Sequence, residues 1–324
     1  MKQNVKRIGI LTSGGDAPGM NAVVRAIVRT ATAKDVSVLG IRRGYSGLIS
    51  GDIVELTRRS VDKLLPQGGT YLYTARCEEM LTEAGQEKAV QTCRHMGIEG
   101  LAVIGGDGSF QGALTLAKKG LATVGVPATI DNDIACTDYS IGFDTACNTA
   151  VDAIDKLRDT MQSHERCSVV EVMGRSAGHL ALHVGVAVGA TCILLPEQAV
   201  DFTSSVIEPI RMGRLKGRHH HIILVAEGYG SAQTVAEKVQ ETTGMDARVT
   251  ILGHIQRGGT PSAMDRVLGT QMGCHATSLL LAGERNRLVI KKDGNVVDCD
   301  MEEGLSQRKC LEQSLFEAAL AVTS

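Results

Sequence analysis

Short apolar runs recur along the chain, and most of them are followed by a glycine-rich turn with a charged residue. Such runs end near Thr12, Ile104, Val126, Val172 and Ala226. Apolar runs of about four to eight residues between turn residues indicate buried strands. Because helical patterns separate these runs, the chain predicts alternating strands and helices, a mostly parallel sheet and right-handed crossovers.

The segments between the strands carry apolar residues at the spacing of one helix face. This spacing predicts helices over Asn21–Ala33, Glu87–Met96 and Asn148–Met161, and a C-terminal helix over about Leu305–Val322 that serves packing only. A chain of 324 residues is long enough for two α/β lobes that share a cleft.

Composition excludes several classes of function. A net charge of −2, together with the absence of tryptophan, predicts no partner among nucleic acids or anionic membranes. The nine cysteines include no CxxC pair, which indicates reduced thiols in a cytosol. No apolar run approaches the ~18 residues of a membrane span, so we expect neither a span nor an export signal. Adjacent histidines at His219–His221 point to alternate faces, which argues against a metal site there.

Two carboxylates, Asp131 and Asp133, follow the predicted strand that ends at Val126. In extended backbone both point the same way, so one can accept a proton while the other charges the same small volume. Thr129 falls on the same side and offers a hydroxyl. An Asp/Asn-rich turn without chemistry is the alternative interpretation. A second acidic turn, Gly105–Ser109, ends a neighbouring strand, and such turns meet in an open α/β sheet.

Two glycine-rich turns precede predicted helices. At Ser13–Gly19 the free N–H groups and the helix dipole favour phosphate, although the Lys-Ser/Thr ending of a P-loop and the GxGxxG spacing are missing. At Gly105–Ser109 glycines let phosphates approach the backbone, and Asp107 offers a hard oxygen for Mg²⁺. A nucleotide is therefore the expected ligand of these turns.

Arginines complete the candidate chemistry. Arg25 and Arg29 lie one helical turn apart, which indicates either a solvated face or a grip on phosphate. Phosphoryl transfer requires an acidic residue that holds a metal ion, a second one that acts as a base, and arginines that balance the negative charge of phosphate. The missing dinucleotide motif disfavours hydride transfer, and glycosidases do not need several arginines. The turns carry these arginines: Arg76, Arg166, Arg175, Arg248 and Arg257.

Five motifs in order resemble the bacterial ATP-dependent 6-phosphofructokinase family over essentially the whole chain. The motif at Gly105–Ser109 alone is weak, because diacylglycerol and NAD kinases share it. The motifs are Ser13–Asn21, Gly105–Ser109, Pro127–Asp133, Met173–Arg175 and Gly253–Gly259.

The resemblance implies transfer of the γ-phosphate of ATP to the 1-hydroxyl of fructose 6-phosphate in glycolysis. Asp131 would accept the hydroxyl proton, with Thr129, Arg175 and Arg76 as further catalytic residues and Mg²⁺ on Asp107. ATP would contact Gly15, Arg76, Cys77, Gly106, Asp107, Gly108 and Ser109. Fructose 6-phosphate would contact Thr129, Ile130, Asp131, Arg166, Met173, Gly174, Arg175, Glu227, Arg248, His254 and Arg257.

The resemblance also implies an organisation. Two doubly wound, mostly parallel-sheet α/β lobes would hold the active site in the cleft between them, in a cytoplasmic homotetramer. The larger, ATP-binding lobe would comprise residues 1–142 and 256–306, and the smaller, sugar-phosphate lobe residues 143–255 and 307–324. Arg166 and Arg248 would reach into the site of a neighbouring subunit.

An allosteric pocket for ADP or phosphoenolpyruvate is implied between subunits. One departure matters: Thr191 stands where the family usually has a glutamate that helps to hold the effector's Mg²⁺, which predicts weak or altered ADP activation. The matching positions are Arg25, Arg29, Tyr45, Arg58, Arg158, Gly189, Thr191, Lys216, Arg218, His219 and His220.

A second departure concerns the phosphoryl donor. Ala128 stands where ATP-dependent relatives commonly carry glycine. Pyrophosphate-dependent relatives carry lysine there and aspartate at the position of Gly108, so ATP is favoured. A pyrophosphate-dependent enzyme and a non-catalytic sugar-phosphate sensor on the same fold stay as alternatives.

Overall fold

The computed structural model describes residues 5–323, which divide into two compact units. The first unit contains the described residues up to Thr129, then Ile134–Thr145 and Arg257–Lys309. The second contains Ile130–Asp133, Ala146–Gln256 and the described residues from Cys310 onward. The short segment Ile130–Asp133 therefore groups with the second unit, whereas the predicted boundaries assigned it to the larger lobe.

Strands and helices alternate along most of the chain, with short 3₁₀ turns and one π-helical stretch at Thr203–Ile207. The strands are β1 (Arg7–Thr12), β2 (Ser37–Ile41), β3 (Ile53–Leu56), β4 (Gly100–Gly105), β5 (Ala122–Pro127), β6 (Cys167–Val172), β7 (Cys192–Leu194), β8 (His221–Ala226), β9 (Ala247–Ile251), β10 (Arg287–Lys292) and β11 (Asn295–Asp300). The helices are α1 (Met20–Thr32), α2 (Gly44–Ser50), α3 (Glu83–His95), α4 (Asp107–Lys118), α5 (Phe143–Gln162), α6 (His179–Ala187), α7 (Glu208–Leu215), α8 (Ala232–Thr243), α9 (Ala263–Ala282), α10 (Met301–Leu305) and α11 (Gln313–Thr323).

The first unit is built on a seven-stranded sheet with the order β11-β10-β5-β4-β1-β2-β3. Only the outermost strands, β11 and β3, run antiparallel to their neighbours. Every position of β4 and β5 is buried, as expected for parallel strands covered on both faces. The strand order reverses between β1 and β4, which is where open α/β sheets bind ligands.

Small residues let α1 and α9 pack closely in this unit. A Cβ added to Gly269 would lie 3.1 Å from Cβ of Ala22, and one added to Gly273 would lie 2.8 Å from Cβ of Ala26. Both pairs recur at the one-turn spacing of a helix face. This contact fixes the helix that begins directly after the first glycine-rich turn.

The second unit is built on a four-stranded, fully parallel sheet with the order β7-β8-β6-β9. Parallel strands place all their carboxyl ends on one side of the sheet and all their amino ends on the other. We call these sides the carboxyl edge and the amino edge. Since β6 and β8 each have six residues, the two edges lie roughly 17–20 Å apart.

The structure confirms the predicted fold class and corrects one helix. The predicted C-terminal helix over Leu305–Val322 is wrong in its first third, because α10 ends at Leu305 and α11 begins at Gln313. The interruption falls where the chain passes between the units after Lys309, whose Nζ donates to the carbonyl of Thr137 at 2.7 Å. Among residues 5–323 no helix is long and apolar enough to cross a membrane.

Candidate active site

The glycine-rich turns of the first unit come together because their strands are neighbours. β1, β4 and β5 are adjacent and parallel, so the turns that follow them share one side of the sheet. The amide of Ser13 donates to the carbonyl of Ile104 at 2.9 Å, and the amide of Ala128 donates to the carbonyl of Gly105 at 2.8 Å. The sequence expectation that these turns meet is therefore correct for this unit.

Gly105 is required by the closeness of these turns. A Cβ at this position would lie 2.4 Å from the carbonyl oxygen of Ser13 and 2.5 Å from Oγ of Ser109. In contrast, a Cβ at Gly108 would meet nothing within 4 Å. One glycine thus allows close packing of backbone, and the other leaves open space beside the start of α4.

Asp107 is the first residue of α4, and its side chain is exposed at the helix N-terminus. Free N–H groups at this end favour an anionic ligand. Among residues 5–323 no group of three or more His, Cys, Asp or Glu residues could hold a metal ion. A single carboxylate still fits Mg²⁺, because this ion usually keeps water ligands and binds through one or two carboxylates together with substrate phosphates.

The segment carrying Arg76 and Cys77 lies beside the first turn. Oγ1 of Thr74 donates to the carbonyl of Gly14 at 2.6 Å, which ties this loop to the turn after β1. Arg76 is exposed, whereas Cys77 is half-buried against the hydrophobic core. An arginine held on a loop beside an anion-binding turn can reach phosphate oxygens.

Arg257 also belongs to this group of turns. Its guanidinium donates to the carbonyl of Asp16 at 3.0 Å, and a Cβ on Gly15 would lie 2.5 Å from its Nη1. Arg257 was expected to bind the sugar phosphate, and Gly15 was expected to bind ATP. In the structure these two residues are in contact. Sequence spacing gave no sign of this contact between positions far apart in the chain.

Tyr45 supports the second turn. Its ring is 4% exposed, and its hydroxyl donates to the carbonyl of Ser109 at 2.5 Å. Burial raises the pKa of this phenol well above its ordinary value. Tyr45, which was expected among the effector positions, therefore has its side chain enclosed beneath the glycine-rich turn.

At the carboxyl edge of the second unit, Asp131 lies beside Arg175. Nε of Arg175 is 3.4 Å from Oδ2 of Asp131, whose side chain is 2% exposed while that of Arg175 is 64% exposed. Arg175 adopts a positive φ of 54°, an uncommon conformation for a residue with a side chain. Strained backbone of this kind is concentrated at ligand sites, where the surrounding structure enforces it.

Glu227 holds the turn that presents Arg175. It follows β8 directly, and its carboxylate accepts from the amides of Gly174, at 3.2 Å, and Arg175. The amide of Glu227 in turn donates to the carbonyl of Val172 at 2.9 Å. Gly174 has a φ of 143°, and a Cβ there would lie 2.4 Å from the carbonyl oxygen of Ala177. The turn Met173–Arg175 is thereby fixed on the carboxylate of a neighbouring strand.

Gln256 is a residue that sequence reasoning missed. It is fully buried, its Oε1 accepts from the amide of Met173 at 3.4 Å, and its Nε2 donates to the carbonyl of Gly253 at 3.1 Å. It therefore joins the turn after β6 to the turn after β9, where His254 is exposed. The sequence showed only a glutamine in a glycine-rich segment. This pattern did not reveal that the side chain bonds to the amide of Met173.

Arg166 and Arg248 lie at the amino edge, opposite Arg175. Both contact one carboxylate: Nε of Arg166 is 2.7 Å from Oδ2 of Asp246, and Nη2 of Arg248 is 3.1 Å from the same atom. Arg166 precedes β6, and Arg248 is the second residue of β9. Because the sheet separates the two edges, these arginines cannot join Arg175 in a single site of the same chain.

The expected effector positions of the first unit lie on and beside α1. Nη1 of Arg29 is 2.9 Å from Oδ1 of Asp62, and Nε of Arg58 donates to Oγ1 of Thr32 at 3.1 Å. Nε of Arg25 is buried without a hydrogen-bond partner. A buried donor without a partner is energetically costly.

The effector positions of the second unit form a basic cluster. Arg158 donates to the carbonyl of Val188 at the end of α6, and His220 lies 3.4 Å from the side-chain amide of Gln162. Burial, and then the charges of Arg158 and Arg218, lower the pKa of His220.

Lys216 and Arg218 also line a cavity of about 480 Å³ beside α7. Gly189 and His219 are exposed nearby in the chain.

Thr191 is turned inward at the amino edge. It is 5% exposed, and its Oγ1 lies 3.2 Å from Nδ1 of His221, which is 1% exposed. Burial, and then the charge of Arg218, lower the pKa of His221 to about 4. The hydroxyl that replaces the expected glutamate is therefore engaged with a neutral, buried histidine.

Comparison with known proteins identifies the family. The family model described as Phosphofructokinase matches residues 7–280. The chain belongs to the phosphofructokinase family. The chain is 52% identical over 315 residues to the ATP-dependent 6-phosphofructokinase of Clostridium botulinum, with 97% of this chain and 98% of that protein covered. It is 53% identical to the corresponding protein of Clostridium novyi over the same shares.

Solved phosphofructokinase structures share this fold. The structure of phosphofructokinase from Saccharomyces cerevisiae has a TM-score of 0.88 and 35% identity, and the match covers 98% of this chain and 46% of that chain. A pyrophosphate-dependent phosphofructokinase from Marinobacter aquaeolei has a TM-score of 0.85 at 20% identity, covering 99% of this chain and 92% of that one. The second likeness concerns the fold alone, so the phosphoryl donor must be argued from the residues.

Proposed function

We propose that this phosphofructokinase transfers the γ-phosphate of ATP to the 1-hydroxyl of fructose 6-phosphate. The observation that carries the proposal is the buried Asp131 carboxylate 3.4 Å from Arg175, on a strained turn that Glu227 holds. A base and a cation fixed side by side are what deprotonation of an alcohol near phosphate requires. The relatives named ATP-dependent 6-phosphofructokinase share more than half of their aligned residues with this chain, and they support the same reaction.

The proposed mechanism gives each residue one task. Asp131 accepts the proton of the sugar hydroxyl as that oxygen attacks the γ-phosphorus, and Thr129 orients the reacting groups. Arg175 and Arg76 balance the negative charge of the phosphate oxygens. Asp107 would hold Mg²⁺, which when bound neutralises charge on the nucleotide phosphates.

The two ligands would use different turns. The nucleotide would bind the turns of the first unit at Gly15, Arg76–Cys77 and Gly106–Ser109, whose free amides and open space beside Gly108 suit phosphates. The sugar phosphate would bind the carboxyl edge of the second unit through Ile130, Met173–Arg175, Glu227 and His254. Arg257, which packs on Gly15, would add positive charge between nucleotide and sugar-phosphate oxygens.

We further propose a homotetramer in which Arg166 and Arg248 serve the site of a neighbouring subunit. Their position at the amino edge supports this proposal, because Arg175 lies at the opposite edge of the same sheet. Both guanidinium groups contact Asp246, which helps to orient them at this edge. A partner's sugar phosphate would then be gripped by two arginine forks.

An effector pocket for ADP or phosphoenolpyruvate belongs to the same proposal. The basic cluster around Arg158 and Arg218 supplies a site for anions. Thr191 offers no carboxylate for a metal ion, and its hydroxyl lies against His221. We therefore expect anion binding to be retained and activation by MgADP to be weak.

None of the nine cysteines forms a disulfide, which supports a cytoplasmic location.

A coupled assay with either phosphoryl donor tests the proposal. We expect fructose 1,6-bisphosphate from MgATP and little from pyrophosphate. The variant Gly108→Asp is the matched probe, because its Cβ meets no atom within 4 Å and the change therefore adds charge rather than a clash. It should weaken the use of ATP. Turnover with pyrophosphate equal to that with ATP would establish the pyrophosphate-dependent alternative, and no product from either donor would establish the sensor.

A further inference from the structure

Two cysteines, Cys136 and Cys299, lie close together in the first unit. A single Cβ added to Gly304 would lie 2.9 Å from Sγ of Cys136 and 3.1 Å from Sγ of Cys299. Both thiols are half-buried and pack against the same hydrophobic core. They are therefore neighbours in space although they are far apart in the chain.

The two thiols differ in acidity. The contact with Cys299, and then burial, raises the pKa of Cys136. The contact with Cys136 lowers the pKa of Cys299, as does the charge of Arg287, while burial and the charges of Asp300 and Asp298 oppose this shift. One thiol thus ionises more readily and the other keeps its proton, which is the arrangement of an attacking and a resolving cysteine.

The backbone around the pair is already held in register. The amide of Lys291 on β10 donates to Oγ1 of Thr137 at 2.9 Å, and the amide of Asp138 donates to the carbonyl of Lys291 at 2.8 Å. Cys299 lies on β11, opposite Leu288 of β10. The residue after Cys136 and the strand that carries Cys299 are therefore anchored to the same strand.

We propose that Cys136 and Cys299 form a redox modification site that closes to an intrachain disulfide on reaction with a low-molecular-weight disulfide. The Cys299 thiolate attacks one sulfur of the oxidant, forms a mixed disulfide and releases one thiolate. Cys136 then loses its proton to solvent and attacks the Cys299 sulfur, releasing the second thiol. Two protein thiols are oxidised and one small disulfide is reduced to two thiols.

The site would respond to the surroundings of the enzyme rather than strengthen its fold. Disulfides in reducing compartments are transient and serve catalysis or sensing. Cys136 stands five positions after Asp131 in the chain, so the link would tie the segment that follows the proposed base to the edge strand β11. The chemistry depends on neither substrate and can be read without an assay of turnover.

Oxidised glutathione added to the full-length chain, followed by peptide mapping without reductant, tests this inference. We expect a Cys136–Cys299 linked peptide that dithiothreitol removes, and an intact mass lower by two hydrogen atoms. The variant Cys310→Ser serves as background, because Cys310 is exposed and would react by itself. Cys93 is the internal control: burial raises its pKa to about 12, so it should stay reduced.

Single variants in the same background separate the two roles. Cys136→Ser should trap one glutathione on Cys299, because the resolving thiol is missing. Cys299→Ser lacks the partner thiol, so it should keep one glutathione on Cys136 and form no linked peptide. Failure to form the linked peptide in the parent, or an intact mass lower by two hydrogen atoms in either single variant, would overturn the inference.

Discussion

The two edges of the four-stranded sheet both bring arginines to a carboxylate, but in different surroundings. At the carboxyl edge the side chain of Asp131 is 2% exposed beside Arg175. At the amino edge the side chain of Asp246 is 41% exposed between Arg166 and Arg248. A carboxylate withdrawn from water is costly and persists where chemistry needs it, whereas an exposed pair contributes little to stability. The comparison agrees with the proposed roles, in which Asp131 takes part in the reaction and Arg166 and Arg248 bind the sugar phosphate.

The largest effect should follow removal of the carboxylate at the carboxyl edge. Asp131→Asn keeps the shape of the side chain but removes the base, so kcat should fall about 10²- to 10⁴-fold with a smaller change in KM. Steady-state kinetics with MgATP would measure this loss. Asp133→Asn, two residues away, is the matched control and should lose less. A kcat for Asp131→Asn within tenfold of the parent would exclude Asp131 as the base.

His221, at the amino edge, should affect stability rather than turnover. Its pKa is about 4 in the folded chain and about 6.5 when unfolded, so only the unfolded chain binds a proton between these values. Stability should therefore fall by up to about 3 kcal/mol as the pH decreases from 6.5 to 4, and stay constant above 7. Denaturant unfolding at several pH values measures this slope.

The comparison variant for that slope is His221→Gln, which cannot take up a proton in this range. Its stability should depend less steeply on pH than that of the parent, whatever its value at neutral pH. Equal slopes in the parent and His221→Gln would refute a buried, neutral histidine.

Arginines of the amino edge should affect binding of the sugar phosphate. Arg248→Ala removes a charge-assisted grip worth about 1.5–3 kcal/mol, so KM for fructose 6-phosphate should rise about 10- to 100-fold. The thermal midpoint should hardly change, because an exposed ion pair contributes little. Arg94→Ala, an exposed arginine at the end of α3, is the control and should leave KM unchanged. An unchanged KM in Arg248→Ala would remove this residue from recognition.

The smallest effect concerns the effector positions at the same edge. Thr191→Glu supplies the missing hard ligand, so activation by MgADP should increase about fivefold, the lower end of usual coupling energies. Saturation curves for fructose 6-phosphate with and without MgADP measure the shift. Thr191→Gln has the same length without the charge and should not gain activation. Strong MgADP activation of the parent itself would contradict the expected weakness.

The sequence predicted what depends on local pattern. Buried parallel strands read as continuous apolar runs, and the turns after them carried Asp107, Asp131 and Glu227, so the fold class and the candidate residues could be stated early. What it missed depends on contacts between distant positions. Tyr45 beneath Ser109 and Gln256 on the amide of Met173 are pairings that no local spacing reveals. The break between α10 and α11 arises where the chain leaves one unit for the other.

The most direct test of the two-edge account is complementation between two impaired variants. Asp131→Asn and Arg248→Ala chains would be expressed together and the mixed oligomers assayed with fructose 6-phosphate near its parental KM. If the amino-edge arginine serves a neighbouring subunit, some mixed sites combine an intact Asp131 with an intact Arg248 of the partner. Activity should then clearly exceed the sum of the two variants assayed alone. A mixture no more active than that sum would show that both residues act within one chain, contrary to the account.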